Sequence, residues 1–193
     1  MTIKTIKRVK NRKFLNFKFL QMVEMLSGID DSLDVDFKGF KQPEGSDIAF
    51  SQLSHENTPL VLQMDVEALS DISEFMDTLQ LRVVIEDHYA SAALHEIEKN
   101  AIIAFEKLPL YKDQIKREMF YEDLLTLKFK TKKGKWVFTC NDRSFTPQKH
   151  GKVSAGVKLE VVFSPGFYYT ETHCGVYLTL KSVNFPKTKT VKK

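Results

Sequence analysis

The spacing of apolar residues along the chain changes period twice. Short apolar segments at residues 60–66 and 81–85 predict two strands. Over residues 92–107, apolar side chains recur every three or four positions, which predicts an amphipathic helix that ends before Pro109. From Leu125 onward, apolar and polar residues alternate, and this period of two predicts strands with one buried face.

Two further helices are predicted in the middle of the chain. Ser70 and Asp71 are favourable helix N-caps, and the apolar residues that follow, as far as Leu79, keep a helical spacing. A short helix is also predicted over residues 113–124. The middle of the chain, about residues 70–124, is therefore expected to be a mainly helical region.

The last third of the chain predicts a run of strands that includes one hairpin. The predicted turn of the hairpin is the lysine-rich segment KKGK at residues 132–135. A further strand predicted at residues 14–19 could complete the sheet. A small antiparallel barrel, closed or nearly closed, suits this count because closure removes exposed strand edges. The strands of the last third are predicted at residues 125–129, 136–140, 157–163 and 175–183.

These elements predict a single α+β domain over residues 1–186, in which the antiparallel barrel carries the helical region as an insertion in the middle of the chain. Residues 187–193 are predicted to form a basic flexible tail. The chain has 193 residues, of which 42% are apolar, so it is long enough to bury an ordinary core without disulfide or metal staples.

The cysteine content and the N-terminal sequence predict an intracellular protein. Cys140 and Cys174 are the only cysteines, and neither lies in a C-x-x-C motif, so two reduced thiols are expected. The basic N-terminal segment leads into no uninterrupted apolar run, because Lys18 interrupts it, and no stretch approaches the roughly 20 apolar residues of a membrane span. We expect no membrane association, and a host cytoplasm or nucleus as the location if the protein is viral.

Charge is distributed unevenly along the chain. Residues 1–23 carry seven basic side chains and no acidic ones, residues 24–126 carry 8 basic and 22 acidic side chains, and residues 127–193 carry 14 basic and 3 acidic side chains. A basic segment attracts phosphate, whereas an acidic segment repels it. If the two basic ends meet on one face, they form a binding surface for a polyanion, with the acidic middle directed elsewhere.

Lysine and aromatic side chains are interleaved on the predicted strands of the last third. Proteins that bind single strands without sequence preference use a positive groove for the phosphates and flat aromatic faces for the bases. The chain therefore has candidates for both functions, and neither requires catalysis. The candidate nucleic-acid-binding residues are Lys128, Lys130, Lys132, Lys133, Lys135, Trp136, Phe138, Arg143, Lys158, Tyr168, Tyr169, Tyr177 and Lys181.

The alternative for the aromatic candidates is a place in the hydrophobic core. Burial is the expected state of most phenylalanine rings on strands, and this applies to Phe138. Trp136, Tyr168 and Tyr169 suit either environment, because their polar atoms tolerate a half-exposed site. The sequence alone leaves these three rings open between core and stacking platform.

Catalysis and metal binding find little support in the sequence. The five histidines lie outside metal-ligand motifs, and His88 and His95 lack a third ligand at a suitable spacing. Neither a G-x-x-x-x-G-K-[ST] loop nor a G-x-G-x-x-G loop is present, so no phosphate-cradling loop is predicted. We expect a protein that is not an enzyme and that uses no cofactor and no metal.

Three segments together carry a resemblance to a known group of proteins. They are KGKWVF at residues 133–138, GVKLEVVF at residues 156–163 and GVYLTLKSV at residues 175–183. This series of a hairpin and two strands that each begin with glycine resembles the OB-fold single-stranded DNA-binding proteins of tailed phages and large eukaryotic DNA viruses, which end in a hairpin, a G-x-x-V strand, an aromatic turn and a G-x-x-L strand. The resemblance covers roughly residues 125–185 and implies an OB-like barrel.

The resemblance and the charge pattern together predict the function and the partners. The expected function is sequence-tolerant binding of single-stranded DNA in replication or recombination, by aromatic stacking and phosphate neutralisation, with RNA kept open as a ligand. The acidic middle is the expected docking region for replication proteins, and homo-oligomer formation stays open. The alternative function is that of a non-catalytic structural, assembly or interaction protein of a virus.

Overall fold

The computed structural model describes residues 34–118, 123–148 and 153–185. The strand predicted at residues 14–19, the basic N-terminal segment and the tail at residues 187–193 lie outside these residues. The described part contains one helix and many strands, so the α+β class is confirmed. The first six strands are β1 (Asp36–Phe37), β2 (Ala49–His55), β3 (Thr58–Pro59), β4 (Leu62–Ala68), β5 (Ser73–Phe75) and β6 (Thr78–Ile85). Helix α1 (His88–Glu106) follows, and then come β7 (Ile115–Arg117), β8 (Leu124–Phe129), β9 (Thr131–Lys132), β10 (Lys135–Trp136), β11 (Thr139–Cys140), β12 (Lys158–Tyr169) and β13 (His173–Asn184).

Strand β12 is the centre of the sheet. It pairs antiparallel with β13 along nearly its whole length, from Glu160 to Tyr169. Its other edge is shared between two strands, because β4 pairs with residues 158–163 and β2 pairs with residues 166–169. The sheet continues from β4 to β6 and from β6 to β8, all antiparallel. On the far edge of β13, the short strands β7 and β11 pair in parallel with its two ends.

The inner face of this sheet carries the core. Along β12 the side chains of Leu159, Val161, Phe163 and Phe167 are buried, whereas Lys158 is exposed and Glu160 and Val162 between them are half-buried. This alternation is the period of two that the sequence predicts for a strand with one buried face. The buried apolar residues of the described part form one cluster, and the buried face of α1 belongs to it.

Helix α1 confirms the helix predicted at residues 92–107, although it begins at His88 and ends at Glu106. Its start is fixed by Asp87, whose side chain accepts hydrogen bonds from the backbone N–H groups of Tyr89 and Ala90. These two groups have no partner within the helix, so the cap satisfies donors that would otherwise be lost.

Replacing this cap should cost a measurable amount of stability. We expect Asp87→Ala to lower the free energy of unfolding by about 1 kcal/mol, because the capping acceptor is lost. Asp87→Asn is the matched control, since asparagine removes the charge but keeps a capping oxygen, and it should stay close to the wild type. Urea unfolding followed by circular dichroism measures both. Equal losses in the two variants would show that the charge, and not the cap, matters.

The predictions of helices at residues 70–79 and 113–124 are wrong. Residues 73–75 form β5, which turns at Met76 and Asp77 and pairs back onto the start of β6. Both turn residues have positive φ, 48° and 57°, a conformation that ends any helix and suits a two-residue hairpin turn. The helical region predicted for residues 70–124 therefore shrinks to α1.

The segment predicted as a helix at residues 113–124 is not helical where it is described. Asp113 and Asp123 have positive φ, which is incompatible with a continuous right-handed helix. Strand β7 lies between them and pairs with β13, and β8 begins at Leu124. Residues 119–122 lie outside the described part.

The described strands do not close into a barrel. Strand β8 pairs with β6 alone, and no described residue joins its other edge to β13 by strand pairing. The lysine-rich hairpin predicted at residues 132–135 is confirmed: β9 and β10 pair antiparallel across it. Both cysteines are free, and burial raises the pKa of the Cys140 and Cys174 thiols, which leaves them weak nucleophiles at neutral pH.

Candidate nucleic-acid interface

Three aromatic side chains lie on the outer face of the sheet, at the end of β12 that leads into β13. The register places Tyr168 of β12 between Phe50 of β2 and Gly175 of β13. Tyr177 of β13 lies opposite Gly166 of β12 and so projects from the same face. All three rings are half-buried. We call Phe50, Tyr168 and Tyr177 the aromatic platform.

Glycines hold the two tyrosine rings of the platform close to the sheet. A Cβ at Gly166 would lie 2.4 Å from the ring of Tyr177, and a Cβ at Gly175 would lie 3.3 Å from the ring of Tyr168. Each ring therefore lies across a glycine of the neighbouring strand, and at Gly166 the approach is too close for any side chain. Both glycines lie within continuous strands and make room for the rings.

Further contacts fix the position of Tyr177. Its hydroxyl lies 3.5 Å from the backbone oxygen of Ser51, to which it donates a hydrogen bond. The ring of Phe50 meets it edge to face, with centroids 5.6 Å apart and planes at 86°. Burial raises the pKa of the Tyr168 and Tyr177 phenols, so both stay neutral near pH 7 and add no charge that would repel phosphate.

A cationic side chain borders the platform. Arg117 of β7 is exposed, and its Nη2 atom lies 3.0 Å from Nε2 of His173, the first residue of β13. The positive charge of Arg117 also acts on Tyr168, since it opposes the rise that burial causes in the pKa of that phenol. Arg117 therefore lies where the phosphate of a base stacked on Tyr168 could be neutralised.

A groove with a volume of about 230 Å³ runs beside the platform, between the middle of β13 and the edge of β8 that no described strand pairs with. Phe50 and Tyr177 line one part of it, and Lys128 and Lys130 line another. Both lysines are exposed, and the residues that line the groove include no acidic side chain. The groove thus has apolar walls with positive charge beside them, as a channel for a single strand requires.

The structure brings several predicted site residues together. Lys128, Lys130, Tyr168 and Tyr177 border the platform or the groove. Lys181 lies nearby on β13 as an extra residue at a β-bulge, because Val162 pairs with Ser182 and the next residue of β12 pairs with Leu180. Bulges redirect side chains and often lie beside functional sites. Lys132, Lys133 and Lys135 are exposed on the β9–β10 hairpin, and Arg143 is exposed in the loop after β11.

Trp136 and Phe138 do not present free ring faces, which corrects their prediction as stacking residues. Phe138 is buried, and its ring stacks on Trp136 with centroids 5.1 Å apart. Phe145 stacks on Trp136 at 5.4 Å, and the Trp136 indole N–H donates a hydrogen bond to the backbone oxygen of Phe145. With Phe129 they form an aromatic cluster that anchors the base of the lysine hairpin.

Tyr169 and Lys158 also differ from their predicted roles. Tyr169 follows Tyr168 on β12 and therefore points to the opposite face, where its ring packs 5.0 Å from Phe40 and 5.2 Å from Phe105. Lys158 lies at the other end of β12 and forms an ion pair with Glu86. Neither side chain is available to the platform.

Acidic side chains gather at that other end of the outer face. Asp65 and Glu67 of β4 lie beside Glu160 and Lys158 of β12. Burial, together with the carboxylates of Glu160 and Glu86, raises the pKa of Asp65. Eight residues separate Glu160 from Tyr168, or about 26 Å along a strand. The outer face is therefore divided into an acidic end and an aromatic, cationic end.

Phe50 and Arg117 were missed as site residues. Both lie far in sequence from the basic last third, and only the register of β2 and β7 brings them to the platform. The alternation of small and apolar residues in segment AFSQL at residues 49–53 was the available signal for Phe50.

The described residues contain no group of three or more histidine, cysteine or carboxylate side chains that could hold a metal. Within the same part of the chain, no helix is long and apolar enough to cross a membrane. Comparison with protein-family models, with curated proteins and with solved structures finds no match to this chain. The function proposed below therefore rests on the geometry of the chain itself.

Proposed function

We propose that the protein binds single-stranded DNA without strong sequence preference and acts in replication or recombination, where single strands are exposed. The observation that carries this proposal is the aromatic platform, Phe50, Tyr168 and Tyr177, beside a groove with lysines and no acids. Rings on an outward sheet face stack on any base, and this stacking contributes about 1–3 kcal/mol per base.

The division of charge on the outer face supports the same function. The acidic end of β12 would repel a polyanion, whereas Arg117, Lys128 and Lys130 attract it to the platform. Binding is then one-sided, and the acidic end stays free to dock replication proteins. RNA offers the same phosphates and stackable bases, so the assays include it as a second ligand.

We also propose that the fold is an OB-like barrel whose open seam is the groove. Five strands, in the order β13, β12, β4, β6 and β8, form a continuous antiparallel sheet. The groove is lined by both end strands of this series, so the sheet curls until its ends approach. An OB-fold is a five-stranded, partly open barrel that binds oligonucleotides on its strands and loops.

Salt dependence tests the electrostatic part of the proposal. With about five phosphate contacts, affinity for a (dT)12 strand should fall about 100-fold between 50 and 200 mM salt. Lys132→Ala, Lys133→Ala and Lys135→Ala combined should make the slope of log K against log salt shallower by about 2. Fluorescence anisotropy with labelled strands measures both quantities.

Lys158→Ala is the matched control for this measurement, because Lys158 is paired with Glu86 at the acidic end. It should leave affinity and slope unchanged. A duplex of the same length should bind more weakly, since its bases are not free to stack. Binding that does not respond to salt, or no binding at 50 mM salt, would refute the proposed function.

An interaction or assembly function, in a viral particle for example, is the second candidate. One observation favours it: Phe75 and Met76 at the β5–β6 turn are 59% and 83% exposed, and apolar side chains exposed together suit a protein contact. Light scattering distinguishes the candidates. A stable oligomer that Phe75→Ser with Met76→Ser dissociates, in a protein that does not bind (dT)12, would favour assembly.

A further inference from the structure

The groove is bordered by β8 and by the middle of β13, and among the described residues no strand pairs with the two edges that face it. The N–H of Thr170 donates a hydrogen bond to the backbone oxygen of His173, so the backbone groups of His173 point toward β12. Backbone groups alternate in direction along an antiparallel strand, so those of Leu178 and Leu180 point away from β12 and toward the groove. Described residues provide no strand partner for them.

The facing edge of β8 has the same property. The backbone oxygen of Asp123 accepts a hydrogen bond from the N–H of Ile85, so Asp123 directs its backbone groups toward β6. Backbone direction alternates along the strand, so Thr126 and Lys128, at odd spacings from Asp123, direct theirs away from β6. Both residues line the groove. A ligand in the groove therefore meets backbone donors and acceptors on two sides.

The width of the groove limits what can bind to these edges. Cα atoms of β8 and β13 approach within 8 Å of each other. A peptide strand bonded to both edges would need them about 9.5 Å apart, twice the spacing of paired strands. The volume of about 230 Å³ is more than seven times the roughly 30 Å³ of a water molecule. A single flat group fits this space better than an inserted strand.

The chemistry of the walls favours one class of base. Backbone donors and acceptors on the strand edges suit any base, whereas the side chains of Lys128 and Lys130 only donate hydrogen bonds and so favour the base with more carbonyl oxygens. The apolar walls, which include Leu125, Leu127 and Phe163, suit a methyl group. Thymine combines carbonyl oxygens with a C5 methyl group, whereas cytosine replaces one carbonyl with an amino donor.

We propose that the groove is a base-reading pocket that takes one thymine from the bound strand. The inference rests on the proposed function, because the platform must first hold the strand beside the groove. It gives an otherwise sequence-tolerant site a preference at one nucleotide.

Comparison of pyrimidine strands tests this pocket, because (dT)12 and (dC)12 differ in the base edge and the methyl group alone. We expect (dT)12 to bind at least about 5-fold more tightly than (dC)12, with (dU)12 between them, since a well-formed base contact discriminates by about 1–3 kcal/mol. Thr126→Trp, which fills the mouth of the groove from an exposed position, should reduce the (dT)12 to (dC)12 ratio below about 2.

Thr58→Trp is the matched control, because Thr58 is exposed on β3 outside the groove, and it should keep the wild-type ratio. Equal affinities of the wild type for (dT)12 and (dC)12, with binding still dependent on salt, would overturn the pocket and leave the proposed function intact. If the wild type bound neither (dT)12 nor (dC)12, the proposed function itself would be refuted. If Thr126→Trp keeps the ratio but abolishes binding of an extended acidic peptide of alternating Val and Glu, the groove is a strand-docking site and the inference is wrong.

Discussion

Phe105→Ala should lower the free energy of unfolding by about 3–5 kcal/mol, the largest stability effect we expect from one substitution. The Phe105 ring is fully buried on α1, and its centroid lies 4.8 Å from Phe167 and 5.2 Å from Tyr169, both on β12. Phe37 and Phe40 approach it from the chain segment around β1. Truncation would leave a cavity that these rings cannot all collapse to fill, since the helix and the sheet hold them apart.

Urea unfolding followed by circular dichroism measures this loss, and Ile103→Ala provides the comparison on the same helix. Ile103 is 39% exposed, so its truncation should cost well under 1.5 kcal/mol. Small domains have only about 5–15 kcal/mol of stability in total, so Phe105→Ala could approach the limit of folding. Similar losses in the two variants would contradict the assignment of Phe105 as the contact between helix and sheet.

This contact also involves one of the two adjacent tyrosines of β12, Tyr169. Adjacent residues of a strand point to opposite faces, so one of Tyr168 and Tyr169 had to face inward. The period of two along β12 places Tyr169 on the buried face with Phe163 and Phe167, and Tyr168 on the other face. The rings of Phe105 and Phe40 then pack against Tyr169 on the buried face.

The elements that the sequence predicts correctly are those in which a single face is buried. Strand β8 alternates regularly, because its inward positions are all apolar, and the buried face of helix α1 is apolar apart from Ser91 and Glu98. Strand β2 has the serines Ser51 and Ser54 at buried positions, which hides its alternation, and it was not predicted. Polar residues are tolerated inside it because hydrogen bonds satisfy them, as the Ser54 hydroxyl donates to the backbone oxygen of Asp36.

The wrong helix at residues 70–79 has a different cause. Its apparent apolar stripe includes Phe75 and Met76, which are among the most exposed apolar side chains of the described part. Helical spacing predicts a helix only when the apolar residues face a core, and here they lie on a hairpin turn. The decisive feature, positive φ at two residues that are not glycine, has no strong signal in the sequence.

The sequence predicts which types of residue form the candidate site, but not which individual residues belong to it. Lysines on the exposed face of β8 follow directly from the alternation of its residues. The platform could not be predicted as a unit, because Phe50, Arg117 and Tyr177 come from three distant segments that only the strand register joins. Trp136 is the opposite case: its residue type suits base stacking, but its ring stacks on Phe138 and Phe145 instead.

Removal of the platform should have the largest effect on binding. Tyr177→Ala should weaken binding of (dT)12 about 10-fold, and Phe50→Ala combined with Tyr177→Ala should weaken it about 100-fold, because in the proposed function each ring stacks on one base. Tyr177→Phe should bind nearly as well as the wild type, since it loses the hydrogen bond to Ser51 but keeps the ring. Fluorescence anisotropy at 50 mM salt gives the affinities, and urea unfolding of each variant shows that it is folded.

Tyr89→Ala is the control that separates stacking at the platform from a general loss of aromatic surface. Tyr89 is 65% exposed on α1, outside the sheet face that carries the platform, and its removal should leave the affinity unchanged. The slope of log K against log salt should also stay unchanged in Tyr177→Ala, because no phosphate contact is lost. Equal weakening by Tyr89→Ala and Tyr177→Ala would mean that the rings do not act as a local platform. A changed slope would instead mean that Tyr177 positions cations, so these two measurements together identify the physical role of the ring.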